Sequence, residues 1–168
     1  MTSPELNFFP IEKGTRIEIG VPSRGRNLNL VTLLQTLRTQ TFQHWDLTLI
    51  DDNPDDYMKE CFSLTQMIRL LEMENHRVRI IKGPSTGIIY VHNILMMSCK
   101  KPLLARIDDD LVLDPSYLEK LLTVFWEDES GMIAAVGGCY PDLKSNAIDD
   151  HVVEKQENLE DYAPFENP

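Results

Sequence analysis

Short apolar runs of strand length alternate with amphipathic stretches of helix length from Arg16 to Val136, and few folds accept that order. Arg16-Ile17-Glu18-Ile19-Gly20-Val21 alternates polar and apolar residues and stops at Pro22, which predicts a first strand. Leu30, Leu33, Leu34 and Leu37 recur at helical spacing, with Asn27 or Asn29 placed to cap the helix. Leu47-Thr48-Leu49-Ile50 predicts a second strand, and Met67, Ile68, Leu70, Leu71 and Met73 a second helix. Val78-Arg79-Ile80-Ile81 reads as the third strand, and Ile88, Val91, Ile94 and Leu95 as the third helix. A strand over 103–107, a helix from Pro115 through Trp126 and a strand Ile133-Ala134-Ala135-Val136 complete the series. Such alternation predicts the α/β class, a mostly parallel sheet flanked by helices on both faces. Ligands of such sheets bind beyond the carboxyl ends of the strands.

Three segments of unusual chemistry fall at that edge. Pro22-Ser23-Arg24-Gly25-Arg26-Asn27 follows the first strand, Asp51-Asp52-Asn53 the second, and Asp108-Asp109-Asp110 the fourth. Three successive carboxylates beside a core repel one another and lose solvation, so a cation among them relieves the arrangement. Oxygen-only ligands point to Mg2+ or Mn2+, which take one or two protein carboxylates and fill their shell with water and phosphate oxygens. By itself the triplet fits a solvated acidic turn equally well. Its position level with the other two segments is what favours a metal.

At 168 residues the chain fits one domain. We expect an N-terminal extension over 1–15, the α/β domain over 16–141 and an acidic irregular tail over 142–168. That tail has eight carboxylates against Lys144 and Lys155, and so carries most of the net charge of -11. The acidic balance argues against nucleic acid, whose phosphates call for a basic patch. Cys61, Cys99 and Cys139 are odd in number and widely spaced, which favours reduced thiols serving as small core residues. With no leader pattern at Met1-Thr2-Ser3-Pro4-Glu5-Leu6 and no apolar run of transmembrane length, the expectation is a cytoplasmic protein.

Taken in order, the segments resemble the nucleotide-binding half of a family 2 glycosyltransferase of the GT-A, Rossmann-like fold. The resemblance runs from about Arg16 to Pro141. It rests on Val21-Pro22-Ser23-Arg24-Gly25-Arg26, Leu33-Leu34-Gln35-Thr36-Leu37-Arg38-Thr39-Gln40-Thr41-Phe42, Leu49-Ile50-Asp51-Asp52-Asn53, the helix start Gly87 to Asn93, and Arg106-Ile107-Asp108-Asp109-Asp110 with Pro115 five residues on.

The resemblance implies a nucleotide-diphosphate sugar as donor, a UDP-sugar by preference, and inverting transfer to an acceptor hydroxyl. Asp52 would accept the imide N–H of the base, and Pro22, Ser23 and Arg24 would line base and ribose. Asp110 would ligate the metal directly, Asp108 would face the ribose or the metal's hydration shell, and Asp109 would support them. The family often has Arg-Asn where His92-Asn93 stands, so His92, Arg24 or Arg26 would contact the diphosphate. Direct displacement also needs a general base, and no carboxylate matches the family's motif for one. The acceptor, whether saccharide, lipid or protein, is not specified.

The acceptor-binding part is expected to be missing or shortened, so a truncated or non-catalytic nucleotide-sugar and metal-binding domain is the main alternative. A haloacid-dehalogenase-type phosphatase shares the apolar-strand-then-Asp-x-Asp signature but needs downstream lysine and acidic motifs. A sugar nucleotidyltransferase needs a glycine-rich loop after the first strand, where Gly25 stands alone.

Overall fold

The computed structural model describes residues 11–55 and 57–138. It divides the chain into two units, Met1–Val136 and Gly137–Pro168. The expected acidic tail and Cys139 lie outside the described residues.

The element order is β1 (Ile17–Ser23), α1 (Asn27–Arg38), β2 (Trp45–Asp51), α2 (Tyr57–Glu60), α3 (Phe62–Met73), β3 (Val78–Lys82), α4 (Ile88–Ser98), β4 (Leu104–Arg106) and α5 (Tyr117–Glu127). The four strands form a parallel sheet in the order β3-β2-β1-β4. Ile17, Ile19 and Val21 of β1 and Leu47 and Leu49 of β2 belong to the main core with the buried Leu30, Leu33, Leu34 and Leu37 stripe of α1. Leu64, Met67 and Leu71 of α3 and Leu118 and Leu122 of α5 close that core. A smaller cluster joins Ile50 to Val91 and Leu95 of α4. Alternation of side chains across a strand sends odd and even residues of β1 to opposite faces, so one face packs on α1, α3 and α5 and the other on α4.

Residues of the second face are polar toward the amino ends of the strands. Glu18 is buried, accepts the Thr48 hydroxyl, and takes Arg79 Nη2 at 2.9 Å. Asp46 is held by Arg16 at 2.7 Å and Lys101 at 2.9 Å. These cations hold its carboxyl below the ordinary range, although burial alone, the largest influence, pushes the other way.

Several expectations need correction. Ile133–Val136 forms no strand. Among the described residues β4 pairs with β1 only, and a strand without a partner edge leaves its backbone groups unpaired, so an apolar run is not enough. β1 does not stop at Pro22 but continues to Ser23. The ladder with β4 ends at Gly20, so beyond it β1 pairs on one side only, where a residue without an N–H is tolerated. Neither Asn27 nor Asn29 caps α1. The cap position falls to Arg26, whose carbonyl accepts Leu30 N–H at 3.0 Å and whose side chain makes no cap bond. Cys61 and Cys99 are half-buried free thiols, and of the two Cys61 packs against the main core. No described helix is long and apolar enough to cross a membrane.

Candidate functional site

The sheet order reverses at β1, which leads to β2 on one side and β4 on the other. Connections leave such a switch point in opposite directions, and a crevice is left outside the carboxyl ends. A cleft of about 450 Å3 opens there, lined by Pro22, Ser23, Arg24, Arg26, Asp52, Gly87, Ile88, Val91, Asp108, Asp109 and Asp110. It gathers every residue expected for donor and metal except His92.

Local contacts explain how each wall is held. Gly25 adopts φ +70°, a conformation that favours glycine, and its N–H donates to Asn53 Oδ1 at 2.7 Å. Asn53 is itself buried and fixed by Asp51 Oδ1, to its Nδ2 at 2.7 Å and its backbone N–H at 3.1 Å. The loop after β1 is thus pinned to the end of β2, with Arg24 and Arg26 on either side of the pin.

Asp52 is buried beside it. Its N–H donates to Ser23 O at 3.1 Å, and its Oδ1 accepts Ser85 N–H at 2.7 Å. Oδ2 stands 3.9 Å from Arg24 Nη1. Gly83 packs so close that a Cβ there would lie 2.6 Å from Asp52 Oδ1.

The carboxylate triplet is strung between two anchors. Ile107 N–H donates to Gly20 O at 3.0 Å, and Leu113 is buried in the core. Beyond it, the buried Gln40 donates from Nε2 to Asp114 O at 2.7 Å and accepts Leu118 N–H at 3.0 Å, while Thr41 N–H donates to Pro115 O at 2.7 Å. Within the triplet Asp109 points into the protein, with 7 % of its side chain exposed, against 45 % for Asp108 and 43 % for Asp110. Their charge is already compensated by guanidiniums. Arg106 Nη2 lies 2.5 Å from Asp108 Oδ1, and Arg26 Nη1 lies 2.6 Å from Asp110 Oδ2 and 3.3 Å from Asp109 Oδ1.

His92 sits apart, on a neighbouring apolar cavity of about 460 Å3 with Leu95, Met96, Arg106 and Phe125. Its buried Nε2 has no hydrogen-bond partner among the described residues. Burial, reinforced by the Arg106 charge and opposed by Asp108, holds the imidazole below its ordinary pKa and favours the neutral ring. A neutral ring offers no charge to a phosphate.

The family model described as glycosyl transferase family 2 matches residues 18–164. The chain belongs to this family. Two solved structures similar to this member show the GT-A-like fold. S. aureus TarS matches at TM-score 0.50 and 17 % identity over 64 % of this chain and 19 % of its own. The mannosyltransferase PcManGT from Pyrobaculum calidifontis, in complex with GDP-Man and Mn2+, matches at TM-score 0.51 and 12 % identity over 68 % of this chain and 33 % of its own. This family 2 chain therefore spans about a fifth to a third of those proteins. The comparison with curated proteins finds no match.

Asn53, Gly83, Ser85 and Gln40 hold the site through long-range contacts that a linear pattern does not display. The Gly83-Pro84-Ser85-Thr86-Gly87 run after β3 was nevertheless a signal: turn residues at a strand's carboxyl end, level with Asp52.

Proposed function

We propose that this family 2 domain binds a nucleotide-diphosphate sugar, preferentially a UDP-sugar, in the switch-point cleft and serves metal-dependent, inverting transfer to an acceptor hydroxyl. The observation that carries the reading is the convergence of Asp52, the Pro22-Ser23-Arg24 loop and Asp108–Asp110 on one cleft. A protein of similar fold is in complex with GDP-Man and Mn2+, which supports the donor class and the metal.

Asp52 accepts the imide N–H of the base through Oδ2, the oxygen left over by Ser85. Pro22, Ser23 and Arg24 line base and ribose. Ser23 lines the cleft, with its Oγ buried and without a hydrogen-bond partner among the described residues.

The half-exposed carboxylates of Asp110 and Asp108 fit Mg2+ or Mn2+. Among the described residues no group of three or more His, Cys, Asp or Glu side chains encloses a metal, and these ions characteristically use one or two carboxylates and complete their shell with phosphate. When bound, the ion neutralises charge growing on the leaving diphosphate. Asp110 would hold it, Asp108 would face it or the ribose, and the inward-turned Asp109 would buttress the turn. Arg24 and Arg26 supply positive charge to the diphosphate.

In the transfer the anomeric C–O bond to the diphosphate breaks as the acceptor oxygen bonds the same carbon from the opposite face. The acceptor proton passes to a general base, and no described residue is assigned that part.

Titration calorimetry with UDP tests the reading: binding is expected with Mn2+ present and lost in Asp110→Ala. Hydrolysis of a UDP-sugar, abolished by the same substitution, distinguishes a working enzyme from a donor-binding domain. Absence of any metal-dependent nucleotide binding overturns both.

A further inference from the structure

Arg26 crosses the cleft. It belongs to the loop between β1 and α1, yet its Nη1 lies 2.6 Å from Asp110 Oδ2 and 3.3 Å from Asp109 Oδ1, on the segment after β4. It holds the carboxylate that, on the reading above, a divalent cation needs. A guanidinium and a metal ion compete for the same oxygen, because both are positive and both bond along its lone pairs.

The arm is also built to move. More than half of the Arg26 side chain is exposed, so it can swing without unpacking the core. Its base does not move with it. Gly25 is pinned to Asn53, and Arg26 O accepts the first helical bond of α1 from Leu30 N–H at 3.0 Å. A freed guanidinium therefore stays at the cleft, where the nearest new partner for it is an anion bound there. Asp109 and Asp110 are in turn tied to the body of the protein through Ile107 and Leu113, so the pair is a contact between two fixed walls through one mobile side chain.

We infer that Arg26 is an electrostatic latch: it occupies Asp110 in the ligand-free protein, is displaced when a divalent cation binds, and is then handed to the donor's diphosphate. This deepens the proposed donor site and rests on Asp110 as metal ligand. The consequence is thermodynamic. Metal alone must break the Arg26–Asp110 pair and leaves the arginine only its longer contact with Asp109. Nucleotide alone gains little from an arginine held by Asp110. Together each relieves the other, so metal and nucleotide bind with positive coupling, and the coupling factor is the same whichever is added first.

The test is titration of Mn2+ alone, UDP alone, and each in the presence of the other, with free Mn2+ followed by electron paramagnetic resonance. Wild type, Arg26→Gln, Arg24→Gln and Asp110→Asn are compared. Arg24→Gln removes the same charge from the same loop without touching Asp110, and so measures the general electrostatic effect. Thermal melts check that each variant is folded. In the wild type a coupling of about 10-fold or more is expected, within the usual range for linked sites. In Arg26→Gln, Mn2+ alone should bind several-fold more tightly than in Arg24→Gln, and the coupling should shrink several-fold, to the part that the direct bond between metal and diphosphate supplies. Equal effects of the two arginine substitutions on Mn2+ affinity, or undiminished coupling in Arg26→Gln, overturn the latch while leaving the donor site standing. No Mn2+ binding to wild type even with UDP, or Mn2+ binding unchanged in Asp110→Asn, overturns the donor-site reading and the latch with it.

Discussion

Replacing Asp52 by Asn changes one oxygen into an amide nitrogen and leaves the shape alone. An Asn side-chain carbonyl can still accept Ser85 N–H, which Asp52 Oδ1 takes at 2.7 Å, and the backbone bond from Asp52 N–H to Ser23 O is untouched. What changes is the second atom. Oδ2, an acceptor 3.9 Å from Arg24 Nη1, becomes a donor facing both that guanidinium and the imide N–H of the base. A hydrogen bond to a charged acceptor contributes about 1.5–3 kcal/mol, so the Kd for UDP should rise about 10- to 150-fold. The long pair with the half-exposed Arg24 contributes less than about 1 kcal/mol, so the melting temperature should barely move. Calorimetry with UDP at saturating Mn2+, paired with a thermal melt, reads both. A Kd within twofold of wild type in a normally folded variant would refute the assignment of Asp52 to the base.

Other substitutions probe the supports. Gly83→Ala places a methyl against Asp52 Oδ1 and should weaken UDP binding about 10-fold through the lost Asp52 contact, with the circular dichroism spectrum unchanged. Glu18→Ala removes the acceptor of the buried Thr48 hydroxyl and one partner of the half-exposed Arg79, and should cost about 1–2 kcal/mol in urea denaturation, with nucleotide affinity retained in the folded fraction. His76 is buried between the Trp45 ring, stacked at 3.5 Å, and the Trp45 carbonyl, and burial lowers its pKa below 6.5. The unfolded chain therefore binds this proton at higher pH than the folded one. Stability should fall as pH drops from about 6.5 through the lower folded value, and the slope of melting temperature against pH in that window should flatten in His76→Phe.

Much of the architecture was legible because the period of apolar residues is the signal a buried face leaves. Leu30, Leu33, Leu34 and Leu37 are all buried, and the first three strands fall within two residues of where alternation and apolar runs put them. Co-location of the three special segments was legible for a topological reason: a parallel sheet brings every strand's carboxyl end to one edge. The fate of Ile133–Val136 was not, because pairing depends on a partner edge that local sequence does not contain. Nor was the choice of which triplet carboxylate turns inward, since a turn has no period, and Asp109 is the buried one. The compensating charge for the triplet came from Arg26 and Arg106, one of them 84 positions away from Asp110, through a contact that only the fold creates. Three adjacent carboxylates call for positive charge, and among the described residues the guanidiniums of Arg26 and Arg106 supply it.

On the proposed function, the switch-point cleft holds the donor nucleotide and its metal between Asp52 and Asp110. A crystal soaked with UDP and Mn2+, examined at a wavelength where manganese scatters anomalously, would show both ligands at once. The expected result is an anomalous peak bonded to Asp110, the uracil against Asp52, and Arg26 turned from Asp110 toward the diphosphate. Nucleotide found elsewhere, for instance in the apolar cavity beside His92, or manganese bound away from Asp110, would contradict it.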